Sequence, residues 1–578
     1  MKKIKLVIKY LTPHWKLALA APLLVLLEVA AEVIQPELMS EIVNKAVVGG
    51  DQSVILPLGL KMLVTTLIGL VGGILSIYAA GKVSYAFGAD MRKSLFEKIT
   101  HFSFENLDKM ESASLITRMT NDVTRIQQVV QASMRLLFRA PFLFIGAFFM
   151  VLSMNASITG ILLALLPILL FCIISILKRS YPLFMKVQEK TDKLNSVTQE
   201  NLAGIRVIKA YVQEEGEKKR FAEANNDLTD TSLKARKIMM YMMPSLSLAI
   251  NIGIVLVIWV GGTKVDAGEM NIGEIMACTN YLSQILISLM MASMVIMNIT
   301  EAQASLTRIQ EVLETQNRPD DDGGDLNLER IEELEFDNVF FKYEGKTKEE
   351  EKEVDHMALK GISFKLKRGE TLAIIGGTGS GKTTLVNLIP RFYDATSGSV
   401  KINGKDIKSY KREEIRKQIG TVMQKPLLFS ESIAENIKWG KEDASDEEIK
   451  ACCKEAQIDD FISSLKEGYD YILGQSANNL SGGQKQRISI ARTLIRKPEL
   501  IILDDSLSAV DFKTEAAIRH VLTELDSTKI IIAQRISSIK EADKILLLEN
   551  GNMVGYGTHE ELIRDNTVYQ EILNSQTN

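Results

Sequence analysis

Gly376-Gly377-Thr378-Gly379-Ser380-Gly381-Lys382-Thr383 decides how this chain is read. The stretch fits G-x-x-x-x-G-K-[ST], a phosphate-binding loop. Residues 371–375 before it (TLAII) predict a short buried strand, and residues 384–388 after it predict the start of a helix. Strand, loop and helix in that order are the context the motif requires. The glycines let the backbone wrap closely and turn its N–H groups toward phosphate oxygens, and the helix N-terminus adds a favourable dipole. Lys382 is expected to reach the β- and γ-phosphates of ATP, and Thr383 to offer its hydroxyl to Mg²⁺. The expected nucleotide cradle is Gly376 through Thr383 with Thr384 behind it.

Composition divides the chain. Its 578 residues are 46% hydrophobic and 24% charged, an apolar part joined to a soluble one. The net charge of −4 gives no reason to expect a nucleic-acid partner. Cys172, Cys278, Cys452 and Cys453 form no C-x-x-C, so metal and redox readings are set aside.

Six apolar stretches precede residue 305: 17–39, 54–80, 129–154, 157–177, 238–262 and 272–300. Each has about 20 residues or more, enough to cross a bilayer. Before them, Ile4, Leu6, Val7, Ile8 and Leu11 alternate with lysines, the pattern of a helix lying in the membrane interface. The loop 81–128 is long and carries Lys82, Arg92, Lys93, Lys98, Lys109, Arg118 and Arg125, and 178–237 is basic too. The alternate loops are short, with Lys45 and Lys264 as their only bases. This asymmetry predicts that the long loops, both termini and everything after residue 300 lie in the cytoplasm of a cell bounded by this plasma membrane. The long loops are expected to continue the spans as helices, with short cross-helices at 105–112 and 204–211. Within the spans, Glu28 and Glu32 share one helical face, as do Arg135 and Arg139. They mark either a cation-attracting cavity or gate, or structural pairing. Met239, Met240, Met242, Met243, Met290, Met291, Met294 and Met297 suit core packing or an adaptable pocket.

From residue 315 the sequence turns polar, with Pro319, Asp320 to Asp322, Gly323 and Gly324, a linker. The expected domains are a transmembrane domain 1–314, a linker 315–330 and a nucleotide-binding domain 331–578. Residues 345–355 read as a charged surface loop. The expected fold is an α-helical six-span transmembrane domain followed by an α/β P-loop domain.

Further motifs follow in order. Tyr343, at a strand end, could stack on adenine. Gln424 follows a strand-like run and could touch Mg²⁺ or the attacking water. Leu480-Ser481-Gly482-Gly483-Gln484 places a hydroxyl and two glycine N–H groups at a helix start, a second anion site. Two such sites in one chain suggest a nucleotide clamped between two nucleotide-binding domains. Residues 500–504 (LIILD) predict a buried strand ending in Asp504, which fits a Mg²⁺-holding role. Ser508, Ala509, Val510 and Asp511 come next.

This order of motifs resembles an ATP-binding-cassette domain. With six preceding spans, the whole chain resembles a half-transporter of the bacterial multidrug exporter type. The resemblance implies that Tyr343 stacks adenine, that Gln424 senses the γ-phosphate, and that LSGGQ contacts ATP held by a partner subunit. It also implies that the cross-helices couple to the cassettes, and that apolar or amphipathic molecules in contact with membrane lipid are exported. Three positions depart from the family pattern. The family's general-base glutamate is here Asp505, its switch histidine is Gln534, and a glutamate before LSGGQ is Gln475. Aspartate is one methylene shorter, and a displacement of about 1 Å can cost about 10²-fold in rate. Glutamine cannot relay a proton as imidazole can. The departures resemble the degenerate-site subunit of a heterodimeric exporter, whose own ATP site is slow or inactive. Lipid or peptide export, and an ATP-gated regulatory or channel subunit, are the alternatives.

Overall fold

The structure is a computed structural model that describes residues 2–316, 324–343, 357–508 and 510–577. Pro319, Asp320 to Asp322 and Gly323 of the expected linker, the expected surface loop 345–355, and Ala509 lie outside the described residues, as does the side chain of Met297. The chain forms two compact units, Met1–Ile99 with Ile116–Glu314, and Thr100–Leu115 with Thr315–Asn578.

The first unit is helical. An amphipathic α1 (Lys2–Leu11) ends at a 3₁₀ turn containing Pro13, and α2 (Trp15–Ile42) follows. Then comes α3 (Ile55–Thr100); the short α4 (Phe104–Lys109) that follows belongs to the second unit, α5 (Ser112–Thr117) runs across the boundary, and α6 (Val123–Met154) is again in the first unit. The last five are α7 (Ala156–Ala203), α8 (Ile205–Ala210), α9 (Glu214–Met240), α10 (Met242–Asp266) and α11 (Ile272–Glu314). Among the described residues, six helical stretches are long and apolar enough to cross a membrane. The second and fourth expected spans continue as single helices, α3 and α7, into the long loops. At 1.5 Å per residue the 46-residue α3 is about 69 Å long, well beyond a hydrocarbon core of about 30 Å. The fifth span is interrupted at Tyr241, between α9 and α10. Pro244 explains the break: it fits the first turn of α10 and would disrupt a continuous helix.

The core of this unit joins Val25, Val29 and Val33 of α2 to Leu143 and Val151 of α6, Leu162 of α7 and Leu282 of α11. Polar contacts fix the register. Buried Tyr281 donates to the carbonyl of Val33 at 2.9 Å, and Gly273 N–H to Asn44 Oδ1 at 2.8 Å. A π-helical turn, Arg118–Asp122, buries Asp122, whose carboxylate accepts from Ser305 at 2.8 Å and from Arg308 Nε at 2.7 Å. Among the methionines, Met242 and Met290 pack on Leu169, Leu246 and Leu286, whereas Met240, Met243 and Met294 are exposed.

The second unit is α/β. Its strands are β1 (Glu333–Phe341), β2 (Leu359–Lys367), β3 (Thr371–Gly376), β4 (Ser397–Ile402) and β5 (Lys405–Asp406), then β6 (Ile419–Val422), β7 (Leu500–Asp504), β8 (Thr528–Ile532), β9 (Lys544–Glu549) and β10 (Asn552–Gly557). One sheet has the order β2-β1-β4-β5, the other β10-β9-β3-β8-β7-β6. Strands β9, β3, β8, β7 and β6 are parallel, and β10 is antiparallel to β9. All five residues of β7 are buried, as a strand covered on both faces demands. Register does the functional work. Ile374 pairs with Ile532, Asp504 with Ile532, and Val422 with Leu503. The carboxyl ends of β3, β8, β7 and β6 are therefore level, and the residues just beyond them meet at one edge, where open α/β sheets bind ligands.

Candidate functional site

The loop after β3 makes the turns its glycines permit. Gly379 and Gly381 have φ of +79° and +99°, and a Cβ on Gly376 would stand 2.2 Å from the carbonyl oxygen of Leu548. The helix Lys382–Leu388 starts two residues earlier than the sequence suggested. Lys382 folds back on its own loop, donating to the carbonyls of Gly376 at 2.8 Å and Gly377 at 2.7 Å. Burial lowers the pKa of its ammonium, opposed by Asp504 and Asp505. The hydroxyl of Ser380, buried within the loop, has no hydrogen-bond partner. Gly377 leaves open space on its outer side. An unsatisfied buried hydroxyl and glycines that leave open space at 377 and 379 fit a phosphate-bearing ligand.

Thr383 Oγ1 donates to Asp504 Oδ1 at 3.2 Å. Asp504 is 6% exposed, and burial raises its pKa. A hydroxyl and one carboxylate oxygen suit Mg²⁺, which takes few protein ligands and keeps phosphate oxygens and water for the rest. Among the described residues no cluster of three or more His, Cys, Asp or Glu could hold a metal alone.

Asp505 lies one residue past β7 with φ +48° and is 8% exposed. Its N–H donates to the carbonyl of Ile532, which ties it to β8. Its Oδ2 accepts from Gln534 Nε2 at 2.7 Å and from Gln424 Nε2 at 3.3 Å. The three residues come from the ends of three adjacent strands. One carboxylate oxygen thus carries two neutral amide donors. Ser508 closes the turn by donating to the carbonyl of Asp505 at 2.8 Å, and Asp511 caps the helix Phe512–Glu524.

Tyr343 does not stand free at the strand end. Its hydroxyl donates to Thr384 at 3.1 Å, and its ring meets Phe341 and Tyr393 edge-on, with centroids 4.8 and 5.3 Å away. Thr384, expected in the nucleotide cradle, is buried and spends its hydroxyl on Tyr343. The sequence reading passed over Tyr393, whose hydroxyl reaches Asp108 at 2.5 Å, and Phe104, whose ring lies 4.5 Å from that of Phe392. The cross-helix expected at 105–112 is α4, with Ser103 as its cap. The only hint of these contacts was aromatic content in FENLDK and RFYDA.

Ser481 caps the 13-residue helix Gly482–Leu494 in a capping box with Gln484. Ser481 and Gly482 are exposed, and a Cβ on Gly482 would meet nothing within 4 Å. Among the described residues no hydrogen bond joins Ser481, Gly482 or Gly483 to the loop from Gly376 to Thr384. Gln475 lies in a 3₁₀ turn before Ser481, where Ser476 has φ +54°.

Two family models match the chain: ABC transporter transmembrane region over residues 18–290, and ABC transporter over residues 359–508. The chain is 40% identical over 569 residues to the uncharacterized ABC transporter ATP-binding protein YfiB of Bacillus subtilis, covering 98% of each. It is 34% identical to the uncharacterized ABC transporter ATP-binding protein MT1311 of Mycobacterium tuberculosis, covering 98% of this chain and 97% of that one. Its fold is similar to that of a bacterial Atm1-family ABC exporter solved with ATP bound, with a TM-score of 0.81 and 24% identity over 97% of this chain and 98% of that one. Six membrane-crossing helices, the α/β unit and the phosphate loop agree with these matches, and the chain belongs to the ABC transporter family as a multi-pass membrane half-transporter that carries its own ATPase domain.

Proposed function

We propose that this chain is one half of a heterodimeric exporter in the plasma membrane and that its own ATP site hydrolyses slowly or not at all. The observation that carries the reading is the Asp505 carboxylate, one methylene short of a glutamate and bonded through one oxygen to the amides of Gln534 and Gln424. A general base must reach the proton that it abstracts. Here the shorter side chain is drawn toward two amides that can hold the carboxylate but cannot pass a proton onward. Lys382 and the loop N–H groups bind the phosphates, Thr383 and Asp504 hold Mg²⁺, which when bound neutralises phosphate charge, and Tyr343 stacks on adenine. Gln424 stays close to the γ-phosphate. Ser481 and Gly482, both exposed, and the half-buried Gly483 serve the nucleotide of a second, different half-transporter. The long basic loops support cytoplasmic termini and a cytoplasmic ATPase domain. The exporter-like fold and the apolar helical unit support export of apolar or amphipathic molecules.

Lys382→Ala in the complex as isolated from its membrane tests this reading. ATP photolabelling of this chain should fall, while substantial hydrolysis remains at the partner's site. Complete loss of hydrolysis with intact assembly would contradict it.

A further inference from the structure

A cavity of about 450 Å³ opens between α2, α3 and α6. One wall carries Glu28, Glu32, Arg135 and Arg139, and the other is apolar, with Leu70 and Ile74. Two glutamates and two arginines sum to zero formal charge. Their contacts alternate along the helices: Arg135 to Glu28 at 3.5 Å, Glu28 to Arg139, and Arg139 to Glu32 at 2.8 Å. Gly73 makes room for this ladder, since a Cβ there would stand 3.2 Å from the Glu28 carboxyl carbon. The two inner groups are the better covered, with Glu28 19% and Arg139 17% exposed. The ends are more open. Arg135 is 27% exposed and has one long contact, and Glu32 is 36% exposed with one partner. The neighbouring polar pair, Gln35 and Thr66, is already joined at 2.9 Å.

We infer that this cavity binds a zwitterionic amphiphile, its anionic group on Arg135, its cationic group on Glu32 and its apolar chain against Leu70 and Ile74. Charges at membrane depth are costly unless paired. A ligand of single charge would leave the ladder with a net charge, whereas a zwitterion completes both open ends and keeps the sum at zero. Arginine suits the phosphate or carboxylate of such a ligand because its planar fork offers several donors. The inference adds a ligand class to the export reading. Its test is direct binding without ATP, so it fails or succeeds separately from the account of hydrolysis.

The protein in phosphatidylglycerol nanodiscs is titrated with dansylated dodecylphosphocholine. Dodecylphosphocholine, dodecyl phosphate, dodecyltrimethylammonium and dodecyl maltoside then compete, each below micelle formation. Dodecylphosphocholine should compete at least about tenfold better than the other three. Arg135→Gln should weaken it by about tenfold or more and turn the preference to dodecyltrimethylammonium. Glu32→Gln should turn the preference to dodecyl phosphate. Opposite changes of preference cannot come from misfolding, which lowers all four together. Repetition in phosphatidylcholine discs distinguishes the source. Loss of probe binding there identifies a bilayer lipid headgroup as the occupant, and equal binding in both discs identifies an amphiphile from outside the bilayer. Equal competition by all four compounds, or variants that leave the order unchanged, would overturn the inference.

Discussion

The side-chain amide of Gln534 donates to Asp505 Oδ2 at 2.7 Å, across the ends of two paired strands. The shortened carboxylate and the glutamine are thus one unit, further held by Gln424 on the same oxygen. Changing Asp505 takes the acceptor from both amides, and changing Gln534 leaves Asp505 only the longer contact with Gln424.

Asp505→Glu together with Gln534→His should therefore raise hydrolysis at this chain's own site by about 10–100-fold, more than either change alone. Single-turnover hydrolysis in complexes that also carry Ser481→Ala isolates that site. No rise despite retained ATP binding would show that the two positions do not limit it.

Arg139→Gln should destabilise the helical unit, because it leaves Glu28 and Glu32 without their shared cation. A double-mutant cycle of Arg139→Gln with Glu28→Gln should give a coupling of about 0.5–3 kcal/mol in unfolding free energy. Additive effects in reversible unfolding would show that the ladder contributes nothing to stability.

Tyr393→Phe or Asp108→Asn should loosen α4, since each removes the hydroxyl–carboxylate bond. Amide exchange across residues 103–111 should quicken by roughly tenfold, as expected for about 1.4 kcal/mol of local stability. Unchanged exchange in both variants would mean that the hydroxyl–carboxylate bond does not hold the segment.

What the sequence made legible were the features with short-range signatures. Residues 500–504 read as a covered strand because every side chain but the last is aliphatic, and the last is Asp504. The phosphate loop and its flanking strand and helix were equally local. The spans showed in hydropathy, and their long continuations in the gap between span length and loop length. Partnerships across the chain were not legible. Glu28 and Arg135 each showed a neighbour one turn away, but their contact depends on how α2 packs on α6, 107 residues apart. Tyr393 and Asp108 are 285 residues apart, and a short polar helix near residue 105 gives no sign of which unit it joins. The contact of Lys382 with its own loop carbonyls was also hidden, because the motif specifies what the lysine meets when a phosphate is present.

Thiols placed at Asp51 and Ala267 should react with an impermeant reagent added outside cells, and thiols at Glu105 and Gln213 should not. Asp51 caps a 3₁₀ turn in the short connection between α2 and α3, and Gln213 precedes α9 at the far end of the helices. Labelling of the second pair from outside would reverse the orientation.

Steady-state hydrolysis by the complex isolated from its membrane, compared for Ser481→Ala and Asp505→Asn, tests the division of labour most directly. Ser481 supplies a hydroxyl at an exposed helix start, and losing one such preorganised donor costs about 10²–10³ in rate. Its cap contributes about 1 kcal/mol to the helix, and Ser481→Thr, which keeps the cap, controls for that loss. On the proposed reading, Asp505→Asn acts on a site that is already slow. The account predicts that Ser481→Ala removes most turnover while Asp505→Asn leaves most of it, and it is contradicted if Asp505→Asn abolishes turnover and Ser481→Ala spares it.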